Sequence, residues 1–258
     1  MQIGLCTISN QEASVDSVIR DAGDAGYDGV EVWGQDHVGD GDPETCRSIR
    51  DVARAAGVEI PVYGSYLRIG APEFDDILEH ELEIARRLDA DLIRVWAGSQ
   101  EYGDHDEGHW EQAIEDLSRV SRLAADRGLG VTVEKHANTL TNDGEGARRL
   151  IESVDRENCR LNWQPAFSMP PDALLEEAKD LAPLSNNLHV QAVPERGSRD
   201  RCPLEDAFFD LERLLGIFED AGFSGYVNVE FVDDDRPYRT AIDGDLEYLR
   251  RATSPQSV

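Results

Sequence analysis

Lysine is almost missing from this chain: Lys135 and Lys179 are the only two among 258 residues. With 53 acidic against 25 basic side chains, the formal net charge is −28. Such a surface repels phosphate backbones and anionic bilayers within a Debye length of about 8–10 Å, so neither nucleic acid nor a membrane is an expected partner. Long apolar runs are missing as well. No stretch of about 18 apolar residues occurs, and the start MQIGLCTISN has neither the basic residues nor the apolar segment of a secretory signal. The expectation is a soluble, cytoplasmic protein. Cysteine is sparse, and Cys6, Cys46, Cys159 and Cys202 show no metal-ligand spacing, so they read as reduced thiols. The acidic runs at 39–44, 104–107 and 233–235 read as solvated loops on a chain this acidic.

What is present is a regular alternation. Apolar, β-branched runs occur at 2–8, 29–34, 59–67, 92–98, 130–136, 159–165, 184–192 and 225–231. Between them, apolar residues recur with helical spacing over 15–25, 43–56, 74–88, 110–127, 144–154, 171–181, 204–221 and 241–252. Ala25-Gly26, Ala56-Gly57, Arg127-Gly128 and Ala221-Gly222 supply helix stop signals. Eight strand–helix units of about 30 residues in strict alternation predict a parallel sheet closed on itself. The expected architecture is α/β: a single (β/α)8 TIM-barrel domain over 1–258, with 253–258 as a flexible tail.

The later strands end in polar residues. Glu134 and His136 close GVTVEKH, Asn162 and Gln164 close CRLNWQP, His189 and Gln191 lie in NNLHVQA, and Asn228 and Glu230 close GYVNVEF. Residues two apart share a face of a strand, and active sites of such barrels lie at the C-terminal strand ends, so these pairs are expected to converge at one mouth. The earlier strands add Glu31 and Trp33, Tyr63 and Ser65, and Arg94 and Trp96. Trp33 and Trp96 either wall a substrate cavity or pack under the loops.

At Glu134, Gln164, His189 and Glu230 the chain resembles the xylose isomerase-like barrel superfamily. IRVWAG, VEKHANTLT, LNWQP, NNLHV and VNVEF resemble its sugar phosphate isomerase/epimerase branch in particular. The acidic, lysine-poor composition is also similar to that of proteins from salt-accumulating archaea. The family resemblance implies one divalent metal ion (Mn, Mg, Co or Zn) held by Glu134, Gln164, His189 and Glu230. Gln164 stands where the family carries Asp, and Phe167 where many epimerases carry a second histidine. An amide at 164 brings an oxygen without charge, which predicts weaker metal affinity.

A hydroxyl and adjacent carbonyl chelated there would have an acidified C–H, and Glu134 and Glu230 are the expected catalytic residues that remove and return its proton. The expected function is metal-dependent isomerisation or epimerisation of a sugar or sugar phosphate through an enediolate. Dehydration or lyase chemistry on a keto-sugar or cyclitol is the alternative, and a non-catalytic sugar-binding barrel is a third. Trp33, Trp96, His136 and Arg196 are the expected substrate-binding residues, with Arg199 and Arg201 as alternatives to Arg196. No glycine-rich phosphate loop occurs, which leaves phosphorylation of the sugar open, and a homo-oligomer is equally open.

Overall fold

The computed structural model describes residues 1–253. Its eight strands are β1 (Gln2–Cys6), β2 (Gly29–Trp33), β3 (Glu59–Gly64), β4 (Leu92–Trp96), β5 (Gly130–Glu134), β6 (Cys159–Trp163), β7 (Ser185–Val190) and β8 (Tyr226–Val229). They pair in parallel in chain order and close into a barrel, with Gly4 of β1 opposite Asn228 of β8 at the seam. Eight helices surround it: α1 (Val15–Ala25), α2 (Pro43–Ala56), α3 (Phe74–Leu88), α4 (Glu107–Ala125), α5 (Gly144–Val154), α6 (Pro171–Leu181), α7 (Leu211–Asp220) and α8 (Tyr238–Ala252). The molecule is a single (β/α)8 barrel. The expected flexible tail falls, beyond Thr253, outside the described residues.

Local chemistry explains the helix boundaries. Asp42, Asp106, Asp143 and Asp210 each turn a carboxylate back onto backbone N–H groups at the start of α2, α4, α5 and α7. Such a cap stabilises a helix by about 1 kcal/mol. Gly57 ends α2 in the left-handed region, at φ 74°, where a Cβ is disfavoured. Two starts fall three residues before the expected ones: α4 begins at Glu107 because Asp106 caps it, and α8 begins at Tyr238 directly after Pro237.

The segment expected as one helix over 204–221 is broken. A 3-10 turn covers Leu204–Asp206, and α7 starts only at Leu211, capped by Asp210. Phe208 and Phe209 lie in the break and face Phe167, with ring centroids 6.4 and 6.5 Å away. Their apolar side chains mimicked helical spacing while serving the barrel mouth.

The core is the layer between sheet and helices. On β5, Val131 and Val133 are fully buried toward the helices, while Thr132 and Glu134 turn into the barrel. The same alternation on β6, β7 and β8 aims Asn162, Asn187, His189 and Asn228 inward, all fully buried. A barrel interior is normally filled by branched aliphatics. Here its upper half is filled by polar groups joined in a hydrogen-bonded network, with His189 Nδ1 among the atoms left without a partner.

Candidate active site

Glu134 is the centre of that interior. Asn162 Nδ2 donates to its Oε2 at 2.6 Å, and Gln164 Nε2 donates to its Oε1 at 2.7 Å. His189 Nδ1 stands 3.6 Å from Glu134 Oε1 and 3.5 Å from Glu230 Oε1. Gln191 Nε2 donates to Glu230 Oε2 at 2.5 Å and to Gln164 Oε1 at 3.3 Å. The four strand-end residues expected to meet are therefore brought together in one hydrogen-bonded group.

The opposite wall supplies two charged residues to which the sequence reading gave no role. Glu31 from β2 lies with Oε2 2.8 Å from His189 Nε2. Arg94 from β4 donates from Nη1 to Glu31 Oε1 at 3.2 Å, and its Nε is 3.6 Å from Glu134 Oε2. The inward parity of Glu31 in GVEVW and Arg94 in IRVW was the available signal. Cys6, expected as a reduced thiol, has its Sγ 3.6 Å from His189 Nε2.

Three buried carboxylates thus face one arginine and one histidine. Burial pushes Glu134 toward neutrality, but His189, Arg94 and the Asn162 amide outweigh it and hold the carboxyl at about 2. Glu31 is lowered in the same way, with burial overcome by His189 and Arg94. Burial also opposes charging of His189, yet Glu31, Cys6, Glu134 and Glu230 together raise its pKa well above that of a free imidazole. Cys6 is pushed up to about 12, first by burial and then by the Glu31 charge.

The arrangement fits a divalent cation. His189 Nδ1 is buried without a hydrogen-bond partner, and it shares with Glu134 and Glu230 a set of ligand atoms all within 4.8 Å of one another. Because Nε2 is committed to Glu31, the neutral ring carries its proton there and leaves the Nδ1 lone pair between two carboxylates. Two carboxylates and one imidazole suit Mg, Mn, Co or Zn, and such an ion would take the place of the Nδ1 proton. Cys6, Glu31 and His189 form a second close set. That set requires the same Nε2 and a thiol that burial keeps protonated, with Arg94 already on Glu31, so it suits a cation poorly. Gln164 faces Glu134 with its amide nitrogen, and in this arrangement it orients a ligand rather than offering its oxygen to an ion.

Above this group opens a cavity of about 480 Å³ whose lining includes Glu101, His136, Gln164, Phe167, Gln191 and Arg201. His136 lies past the end of β5, exposed, edge-on to Trp96 at 5.0 Å between centroids. Trp96 packs behind His136 and is not among the cavity-lining residues, with Arg68 over its ring at 5.0 Å and Arg94 at 5.5 Å. Trp33 is buried beneath the loops, donating its indole N–H to Tyr66 Oη at 2.8 Å. Arg196 is exposed on the loop after β7 and is not among the cavity-lining residues. Arg201, the alternative, lines the cavity, half-buried between Phe167 and Phe231 at 5.5 and 5.1 Å, and makes no ion pair or hydrogen bond among the described residues. A larger groove of about 660 Å³ lies between α1 and α2, lined by Arg20, Asp24, Glu44 and Arg47 among others. It holds none of the polar strand ends.

A closed parallel barrel with a polar, ligand-like group at its C-terminal mouth has the layout of a (β/α)8 enzyme. The chain belongs to the xylose isomerase-like TIM barrel family, whose model matches residues 19–252. A 3-dehydroshikimate dehydratase from Bacillus anthracis is 26% identical over 170 residues, a match covering 63% of this chain and 61% of that protein. The fructoselysine 3-epimerase of Escherichia coli O157:H7 is 21% identical over 259 residues, covering 90% of each chain. Among solved structures, a probable 3-DHS dehydratase involved in petrobactin synthesis from Bacillus anthracis superposes with a TM-score of 0.80 at 19% identity, over 96% of this chain and 98% of that one. The IOLI protein, solved with a bound zinc atom, superposes with a TM-score of 0.79 at 17% identity, over 98% of each chain. At these identities the structural likeness is one of fold. The relatives include both an epimerase and a dehydratase, so membership of the family leaves the reaction open.

Proposed function

We propose that this protein is a divalent-metal-dependent enzyme that isomerises or epimerises a sugar or sugar phosphate by moving a proton at a carbon next to a carbonyl. The observation that carries this reading is the pair Glu134 and Glu230, both within 3.6 Å of the open Nδ1 of His189. Glu134, His189 and Glu230 would hold the ion, which supplies Lewis acidity toward a substrate carbonyl or hydroxyl. Glu31 keeps the His189 ring oriented through Nε2, and Arg94 keeps Glu31 and Glu134 ionised. Gln191 holds Glu230 Oε2, the oxygen turned away from His189, while Gln164 donates to Glu134 Oε1, the oxygen that faces His189 Nδ1, and Asn162 holds Glu134 Oε2. One glutamate then accepts the proton and the other, or the same one, returns it. His136, backed by Trp96, forms the wall against which the sugar packs, and Arg201 faces the cavity as the cation for an anionic group.

A second reading, dehydration of a carboxylated keto-sugar or cyclitol, is favoured by one observation. Arg201 is a half-buried cation that makes no ion pair among the described residues, with the Glu230 and Asp234 charges acting on it from a distance, and it lines the cavity beside the proposed reaction centre. The two reactions share the proton removal and differ in whether the proton returns or a hydroxyl departs. Incubation with sugars, sugar phosphates and hydroxylated keto acids, with Mn²⁺ in deuterated solvent, separates them. Deuterium entering a recovered isomer supports epimerisation, and an unsaturated product supports dehydration. An isomer formed without any deuterium uptake would overturn proton transfer in the isomerisation and point to hydride shift.

A further inference from the structure

Beneath Glu134 runs a chain of three asparagine side chains contributed by three successive strands. Asn228 Nδ2 donates to Asn187 Oδ1 at 2.8 Å, Asn187 Nδ2 donates to Asn162 Oδ1 at 3.0 Å, and Asn162 Nδ2 donates to Glu134 Oε2 at 2.6 Å. All three are fully buried. The direction of the chain follows from its end: an ionised carboxylate only accepts, so Asn162 must turn its NH2 to Glu134 and its carbonyl to Asn187. Asn187 in turn must present NH2 to Asn162 and its carbonyl to Asn228. Every amide dipole therefore points its positive end at Glu134, and each bond polarises the next.

Asn187 is also a branch point. Its Nδ2 lies 3.3 Å from Glu31 Oε2, the oxygen that receives His189. One NH2 group thus divides its two protons between the Glu134 arm and the Glu31–His189 arm. Behind it, β1 leaves room only because residue 4 is glycine: a Cβ there would lie 1.9 Å from Asn228 Oδ1.

We propose that Asn187 is a positioning residue for this site, setting through Asn162 and Glu31 the orientation of Glu134 and His189 toward a divalent ion, with Asn228 locking its amide from behind. This rests on the metal-dependent reading above. The test uses metal-stripped full-length protein titrated with Mn²⁺ in a calorimeter. Asn187→Leu should weaken Mn²⁺ binding by roughly 10- to 100-fold, the usual cost of losing an outer partner of a metal ligand. Asn228→Leu, which touches no carboxylate, should weaken it by a smaller factor of roughly 3 to 10 on the same grounds. Thr132→Val removes a buried hydroxyl without a partner and should leave the affinity unchanged.

Lower melting temperatures for Asn187→Leu and Asn228→Leu with unaltered Mn²⁺ affinity would overturn the proposal. Should Asn187→Leu fail to fold, Asn228→Leu decides it. A second readout needs no metal. In ¹⁵N-labelled protein, Asn228→Leu should shift the side-chain NH2 resonances of Asn162, to which Asn228 is not bonded, and unshifted resonances would refute the chain. Wild-type protein that bound no Mn²⁺ would defeat the functional reading, while the resonances would still test the amide relay.

Discussion

Glu31 Oε2 and His189 Nε2 meet at 2.8 Å across the barrel, from β2 to β7, with both side chains fully or almost fully buried. This contact decides which ring nitrogen of His189 faces the two mouth glutamates. Glu31→Gln keeps an acceptor for Nε2–H but removes the charge that raises the basicity of the ring, whereas Glu31→Leu removes both. Affinity for Mn²⁺ or Zn²⁺ should fall by about 10-fold in the first and by up to about 100-fold in the second. Calorimetric titration of the stripped variants reads the order, and equal affinities for wild type and Glu31→Leu would show that His189 needs no orienting partner.

Gln164→Asp replaces the amide that donates to Glu134 Oε1 at 2.7 Å by a fourth carboxylate. Without metal, that charge loses the bond to Glu134 and repels it, with only the Gln191 amide as a donor nearby, so the stripped variant should melt below the wild type. With Mn²⁺ present the extra anionic oxygen should tighten binding, and the order of melting temperatures should narrow or invert. Thermal melts with and without metal test both halves, and weaker binding by the variant would mean that residue 164 does not face the ion.

Much of this was legible in the chain because barrels write themselves in two periods. The β-branched runs and glycine stops located every strand, and α1, α2, α3, α5 and α6 start and end at the residues their patterns indicate. The four later strand ends were legible because residues two apart share a face. What the pattern lacks is contact across the barrel. Parity aims Glu31 and Arg94 inward but does not say that they reach His189 and Glu134, and asparagine in a strand carries no signal that Asn187 joins a chain. In the loop after β7, no period exists to rank Arg196 against Arg201. The fold seats Arg201 between Phe167 and Phe231 at the cavity and leaves Arg196 exposed outside it.

Asp245 on α8 predicts a pH dependence away from the site. Burial pushes its carboxyl up to about 7, while the Leu204 N–H at 2.9 Å and Arg236 pull it down and Asp233 and Glu205 add to the rise. The folded state therefore holds a proton that the unfolded chain, near its ordinary value of 3.8, has released. That contribution to stability is complete below about pH 4 and is lost as pH rises through about 7, by an amount on the order of a few kcal/mol at most. Asp245→Asn keeps an oxygen for Leu204 N–H and cannot ionise. Its melting temperature should gain on the wild type as pH rises from about 4 to 8, and parallel curves would assign the wild-type decline to other groups.

The proposed proton-transfer role of the mouth glutamates is separable from their proposed ligand role. On that reading Glu134→Gln and Glu230→Gln each remove a metal ligand and a base, so turnover at low metal should fall by more than the roughly 10²- to 10⁴-fold typical of a lost general base alone. Saturating Mn²⁺ restores the first loss and not the second. Glu134, its carboxyl held at about 2 with Asn162 and Gln164 on its two oxygens, is a poor acceptor of a substrate proton. Glu230 has one oxygen on Gln191 and lies at the more open end, which makes it the stronger candidate for the base. Metal saturation should therefore recover more activity in Glu134→Gln than in Glu230→Gln, and deuterium exchange at the substrate carbon should stay suppressed in the latter. Full recovery of both variants would leave the glutamates as ligands only and move the base to His136, the exposed imidazole on the same rim.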